Sequence, residues 1–329
     1  MSTTALLMAA SLLGAGAPVP TGTEIEAKGP LAPLHGTIIE AEGSPPAPAV
    51  LIIPGSGPTD RDGNGPLGLR AGSYRLLAEA LAERGITAVR IDKRGMFGSA
   101  PAVADANAVT IADYAADVHS WAGAVRAKTK VPCVWLLGHS EGGLVALAAA
   151  QQGEGICGVV LLSAPGRKLG DVLREQLRAN PANAPVLDQA LGAIAALEAG
   201  RRVDTQSMHP ALLPLFAPQV QGFMISLLSY DPAALAGNVK KPMLVVQGLR
   251  DLQVSEADAR RLAGARSGTT LVLLPGVNHV LKSVASDDRA ANVAAYADPA
   301  LPLAPGIAEA IAGFIAEHRP PSGSGQLKE

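Results

Sequence analysis

Trp135-Leu136-Leu137-Gly138-His139-Ser140-Glu141-Gly142-Gly143 is the stretch that decides the fold of this 329-residue chain. An apolar run enters a Gly-x-Ser-x-Gly turn, and the helical run Leu144 to Gln151 leaves it. Where a strand doubles back into a helix, backbone segments pass close together. Gly138 and Gly142 omit the side chains that would collide, and Ser140 is lifted to the end of the strand. The helix N-terminus beneath it favours developing negative charge. No second Gly-x-Ser-x-Gly occurs in the chain.

The rest of the sequence repeats the strand-then-helix rhythm. Apolar runs at His35 to Ala41, Val50 to Ile53, Ile86 to Ile91, Val159 to Leu162, Met243 to Val246 and Thr270 to Leu274 read as strands. Between them lie helical patterns at Tyr74 to Arg84, Thr110 to Lys128, Ser255 to Gly264 and Ile307 to His318. Thr110 and Ser255 supply side-chain caps. Strands apolar on both faces, alternating with helices, predict an α/β fold with a mostly parallel sheet covered on both sides. The interval 166–239 breaks the rhythm, with helical spacing and no strand. A structureless loop of that length is implausible, so it is expected to be a helical cap inserted into the sheet domain. The core is then 34–165 plus 240–319. Residues 1–33 are an N-terminal segment whose part 18–33 is a linker or irregular first strand. The tail 320–329 is expected to be disordered.

Composition narrows the function classes. Hydrophobic residues are 48% of the chain and aromatics 3%, so a core built on Ala, Val, Leu and Ile is expected. A formal charge of −2 gives no electrostatic footprint for nucleic acid or an anionic membrane. The apolar stretch Ala5 to Ala17 is too short to span a bilayer. It resembles a signal segment and points towards export, although no Lys or Arg precedes it. Cys133 and Cys157 each open an apolar run and read as two inert buried thiols. One disulfide is the alternative, in an oxidising compartment. No paired Cys or His spacing suggests a metal site.

A serine hydroxyl needs a base to take its proton. His139 adjoins Ser140, but neighbouring side chains diverge, so it reads as structural. His35, His119, His209 and His318 read as packing or surface residues. His279 follows the last strand in Pro275-Gly276-Val277-Asn278-His279, where a loop reaches back over the sheet edge, and is the expected base. Asp251 ends a late strand and is the expected acid; Asp231 and Asp258 read as a turn residue and a solvated helix residue. For an oxyanion, the expected donors are the backbone N–H of Glu141 and that of Ser56, with Gly57 as the alternative. In the loop after them, Asp60 and Asp62 are expected to pair with Arg61 or Arg94 and stiffen it. Asp60-x-Asp62-x-Asn64-Gly65 copies half of a calcium loop, but Ala71 stands where the bidentate Glu should be. Gly55-x-Gly57 lacks the third glycine of a dinucleotide fingerprint.

These segments carry a family resemblance. Pro54-Gly55-Ser56-Gly57-Pro58-Thr59-Asp60-Arg61-Asp62-Gly63-Asn64, Asp92-Lys93-Arg94-Gly95, Gly138-His139-Ser140-Glu141-Gly142-Gly143 and Asn278-His279 make the chain similar to the α/β-hydrolase superfamily. More narrowly it resembles bacterial EstD-type carboxylesterases, which are grouped with serine aminopeptidase-like hydrolases. The resemblance implies hydrolysis of a small-molecule ester through an acyl-enzyme, without metal or organic cofactor. The alternatives are an aminopeptidase or amidase, which needs a carboxylate such as Glu141 or Glu198 to capture an amine, and a binding protein without turnover. The variable cap leaves substrate preference open.

Overall fold

Residues 22–41, 46–286 and 288–319 are described by the computed structural model. The expected signal segment and C-terminal tail lie outside these residues. The eight strands are β1 Thr23–Ala27, β2 Leu34–Ile39, β3 Ala49–Ile53, β4 Thr87–Ile91, β5 Val134–His139, β6 Ile156–Leu162, β7 Met243–Gly248 and β8 Thr270–Leu274. They form one sheet in the order β1-β2-β4-β3-β5-β6-β7-β8. β2 runs antiparallel to β1 and β4, and every pairing from β4 to β8 is parallel. The expected mostly parallel sheet is therefore present. β1 lies inside the segment expected to be a linker or an irregular first strand. Its alternating burial marks it as an edge strand with one face packed, a weaker pattern than a continuous apolar run.

The helices are α1 Ser73–Ala82, α2 Ile111–Thr129, α3 Glu141–Ala149, α4 Leu169–Ala179, α5 Leu187–Glu198, α6 Leu213–Phe216, α7 Gln221–Leu228, α8 Pro232–Asn238, α9 Glu256–Gly264, α10 Arg289–Ala294 and α11 Ile307–Glu317. Helix α3 begins directly after Ser140, three residues earlier than its pattern suggests, because Gly142 and Gly143 show no apolar periodicity. Strand side chains alternate between two cores, one on each sheet face. Leu51, Ile53 and Leu136 pack with Trp121 of α2 and Leu147 of α3. Val50, Ile52 and Leu137 pack with Leu77 of α1 and Ile311 of α11. This period of two is what a strand buried on both faces requires.

Between β6 and β7 the chain forms α4 to α8 and no strand. A third apolar cluster, with Ile194, Leu197, Phe216 and Met224 among its members, lies wholly within this insertion. The cysteines differ from the expected free thiols: Cys133, just before β5, is bonded to Cys157 in β6, with Cα atoms 5.1 Å apart. The two strands are sheet neighbours near these residues, which places the thiols in bonding range.

Candidate active site

Parallel strands end on one sheet edge, and loops leaving β3, β5, β7 and β8 meet there. Ser140 sits at φ 54 and ψ −126, a strained backbone for a residue with a side chain. Its surroundings hold it there. Its N–H donates to the Leu162 carbonyl at 3.0 Å, and its carbonyl accepts from Gly143 N–H at 2.9 Å. A Cβ on Gly138 would come within 2.2 Å of the Gly142 carbonyl oxygen, and one on Gly142 within 2.2 Å of the Ile53 oxygen. Glycine is required at both positions, because the first turn of α3 folds back over Gly138 and the end of β3 presses against Gly142.

His279 and Asp251 meet: Nδ1 donates to Asp251 Oδ2 at 2.8 Å, and both side chains are buried. The second carboxylate oxygen accepts N–H bonds from Gln253 at 2.7 Å and Val254 at 2.9 Å. Burial alone would raise this carboxyl, but the bonds from His279 and the two N–H groups outweigh it and hold Asp251 below the usual carboxylate range. Asp251 is therefore an anion, so Nδ1 of His279 is the donor of their bond and Nε2 is the ring nitrogen turned away from it. Ser140 and His279 line the same cavity, and no direct hydrogen bond joins them.

The turns bearing these groups are tied together by residues to which the sequence reading gave no role. Buried Asn278 accepts the Lys282 N–H at 2.9 Å and donates to Asn292 Oδ1 at 3.2 Å. Asn292 donates in turn to the Arg250 carbonyl at 2.6 Å. The turn holding His279 and the turn holding Asp251 thus share one amide pair.

His139 has the structural place expected of it. Its Nε2 bonds the His279 carbonyl and its Nδ1 the Tyr74 hydroxyl, each at 2.9 Å, while Tyr74 also accepts the Gly55 N–H at 3.0 Å. A carbonyl only accepts, so Nε2 carries the proton and Tyr74 donates to Nδ1. Burial, then repulsion from His279, lowers His139 to about 3, so its ring is neutral. Burial likewise raises the Tyr74 phenol, which keeps its proton.

Glu141, as the first residue of α3, has an N–H with no carbonyl one turn earlier inside the helix. Gly55 packs close to Ser140, since a Cβ there would lie 3.1 Å from the serine Cβ. The buried Lys93 ammonium donates to the Gly55 carbonyl at 2.6 Å and approaches Glu141 Oε1 at 3.4 Å. Carbonyl and N–H of one trans peptide point in opposite directions. The Ser56 N–H therefore points away from Lys93. Gly57 adopts φ +72, which suits its lack of a side chain.

The pairing expected within the loop at Asp60 is different in the structure. Asp60 Oδ1 accepts the N–H groups of Asp62 at 2.9 Å and Asn64 at 2.8 Å, closing the turn on itself. Arg61 turns to Asp92, with Nε to Oδ2 at 2.9 Å, and to Glu24. Asp62 pairs with Arg90 of β4. Arg94 reaches α2 instead, bonding Asp117 at 2.6 and 2.9 Å and Asp113 at 3.1 Å. The physical reason is the parallel sheet: the loop after β3 lies on top of β4, whose own arginine and following acid face it. Asp258, expected to be solvated, is buried and holds Arg167 through two bonds at 3.0 and 3.1 Å. Among the described residues, no group of three or more His, Cys, Asp or Glu side chains could hold a metal ion.

Residues 50–296, well over half the chain, match the family model described as the alpha/beta hydrolase family. The chain belongs to the alpha/beta hydrolase family. Esterase EstD of Thermotoga maritima is 28% identical to this chain over 260 residues, 76% of this chain and 58% of the relative. The chain thus spans less than two thirds of that relative's length. Est1E from Butyrivibrio proteoclasticus superposes with a TM-score of 0.55 at 16% identity, covering 91% of this chain and 99% of its own. A bromoperoxidase from Bacillus anthracis superposes with a TM-score of 0.54 at 17% identity, covering 89% and 100%. Such distant likeness carries the fold alone, and the differing names of these neighbours show that this fold hosts differing chemistries. Among the described residues, no single helix is long and apolar enough to cross a membrane.

Proposed function

We propose that this hydrolase is a serine carboxylesterase whose nucleophile is Ser140, base His279 and orienting acid Asp251. The observation that carries the reading is the 2.8 Å bond between His279 Nδ1 and the buried Asp251, beside a serine on the wall of the same cavity. That bond leaves Nε2 free to take the Ser140 proton as Oγ attacks the ester carbonyl. Negative charge then develops on the carbonyl oxygen, and the N–H groups of Glu141 and Ser56, or Gly57, receive it. His279 returns the proton to the departing alcohol, and water releases the acid by the same steps in reverse. The helical insertion 166–239 acts as a cap whose inner side walls the cavity above Ser140.

An aminopeptidase would need a carboxylate free to capture the substrate amine. Glu198 is engaged by Arg174, with Oε1 at 2.9 Å from Nη1, and Glu141 faces Lys93, so the ester reading is favoured. Hydrolysis of p-nitrophenyl esters, together with fluorophosphonate labelling, tests the proposal. Wild type is expected to turn over and to label, and Ser140→Ala to do neither. Equal labelling of the variant, or wild type without turnover of esters, would reject it in favour of a binding protein or a different chemistry.

A further inference from the structure

We infer that Ser140 divides its substrate between two compartments of unequal size: a large one for the acyl group and a small one, on the side of His279, for the leaving alcohol. The inference rests on the serine-esterase reading and adds to it the class of ester. Ser140 and Ser56 wall both cavities. One is about 500 Å³ and is enclosed on the insertion side by Val172, Leu173, Phe223, Met224 and Leu227. The other is about 230 Å³ and runs under the loops after β3 and β8, with Thr59, Gln253 and Tyr296 supplying polar groups. Tyr296 and Gln253 are linked at 3.1 Å, which gives that rim a fixed hydroxyl and amide.

His279 decides which half of the ester goes where. It walls the small cavity and not the large one. When the tetrahedral intermediate collapses, the bond from the carbonyl carbon to the alkoxy oxygen breaks, and the proton taken from Ser140 passes from Nε2 to that oxygen. The alkoxy oxygen must then lie within hydrogen-bond reach of the imidazole, on the small-cavity side. The acyl carbon is by then bonded to Oγ, so its chain extends the other way, between the oxyanion donors and the apolar walls of α4 and α7. Deacylating water reaches the ester from the side of His279, which the alcohol has vacated.

Size completes the assignment. Pockets for drug-sized ligands hold roughly 300–1,000 Å³. The large cavity falls inside that range and takes a bulky hydrocarbon acid, aryl-alkyl or medium-chain. The small one falls below it and takes the lesser half of the ester, a short alcohol whose further hydroxyls meet Thr59, Gln253 and Tyr296.

The isomeric esters ethyl octanoate and octyl acetate contain the same atoms with the bulky half reversed. The expected result is a kcat/KM at least about tenfold higher for ethyl octanoate, since each methylene placed in or kept out of an apolar pocket is worth roughly tenfold or more. Filling the compartments refines the test. Val172→Trp should lower the octanoate-to-acetate ratio measured with ethyl esters. Leu69 lines the small cavity, and Leu69→Trp should instead lower the butyl-to-methyl ratio measured with octanoates. Equal rates on the two isomers, a preference for octyl acetate, no hydrolysis of the octanoate, or exchanged effects of the two tryptophans would overturn the partition. If Ser140→Ala is inactive on both isomers while those ratios disagree, only the partition fails. If it hydrolyses them at the wild-type rate, the serine reading fails and takes the partition with it.

Discussion

At the scale of single residues, the group that most shapes the site without touching its centre is Lys93. A buried ammonium is costly unless it is well paired. Here it has one short bond to the Gly55 carbonyl, a carboxylate at 3.4 Å, and the Tyr114 ring face at 5.2 Å. A charge-assisted bond of this kind is about twice as strong as a neutral one and fixes the plane of the peptide that accepts it. The other end of that peptide is the Ser56 N–H, a proposed oxyanion donor. Lys93→Met keeps the stem but removes the charge. We expect kcat to fall roughly tenfold to a hundredfold, short of the 10²–10³ typical for deleting a donor outright, with KM little altered. Steady-state kinetics on one ester checks this, and a change in KM alone would show that the lysine serves binding or folding only. The sequence reading quoted Asp92-Lys93-Arg94-Gly95 without giving Lys93 a role. Nothing in a single lysine after a strand tells whether its stem turns inward, and only the close approach of Gly55 to Ser140 reveals its use. The same holds for Arg61 and Arg94. Their type announced pairing, but the partner depended on which strand lay beside the loop.

At the scale of elements, the chain's own pattern was most informative where burial is complete. Runs such as Val50-Leu51-Ile52-Ile53 admit few other readings once helices alternate with them, and the Gly-x-Ser-x-Gly turn located the strand-to-helix junction. Edge strand β1 and the first turn of α3 were harder to see, because partial burial and glycine leave little periodicity. Placing Ser140, Asp251 and His279 at strand ends required only the strand order, whereas the bonds that lock their loops could not be read in advance. One of those locks carries a testable consequence. His139 joins three elements: it accepts from Tyr74 of α1, which receives the Gly55 N–H after β3, and donates to the carbonyl of His279 after β8. The network works only with a neutral ring, and burial lowers His139 to about 3. In the unfolded chain a histidine titrates near about 6.5. Between these values the unfolded state binds the extra proton, so stability is complete above the upper one and falls as the pH drops towards the lower. The slope contributed by this one proton is about 1.4 kcal/mol per pH unit. His139→Gln supplies an amide oxygen for Tyr74 and an NH₂ for the carbonyl, without titrating. Denaturant unfolding from pH 7 to pH 4 should therefore show a shallower acid loss in the variant than in wild type, and parallel curves would refute the argument.

At the scale of the whole molecule, the segment between β6 and β7 has an apolar cluster of its own and also packs Ala236 and Val239 into a core of the sheet, while one covalent bond joins two strands of that sheet. The reading that favoured free thiols weighed burial, which Cys133 and Cys157 share with many inert cysteines. It could not weigh the register of β5 against β6, whose shift between Val134 and Trp135 leaves Cys157 out of the pairing and close to Cys133. The loop that the bond closes spans 24 residues and contains β5, Ser140 and all of α3. Restricting a loop of this length in the unfolded chain stabilises the native state by about 3 kcal/mol in the chain-entropy account. The bond lies at the N-terminal ends of its strands, opposite the edge where Ser140, Asp251 and His279 gather. Its removal should therefore lower stability without changing the chemistry. Cys133→Ser/Cys157→Ser, or wild type held in reductant, is expected to unfold at lower denaturant concentration by that amount. Ester kcat/KM, measured well below the unfolding midpoint, should stay unchanged. A variant as stable as the oxidised protein would show the crosslink to be energetically idle. A folded variant with reduced kcat would show instead that strain at the far end of β5 reaches the serine turn.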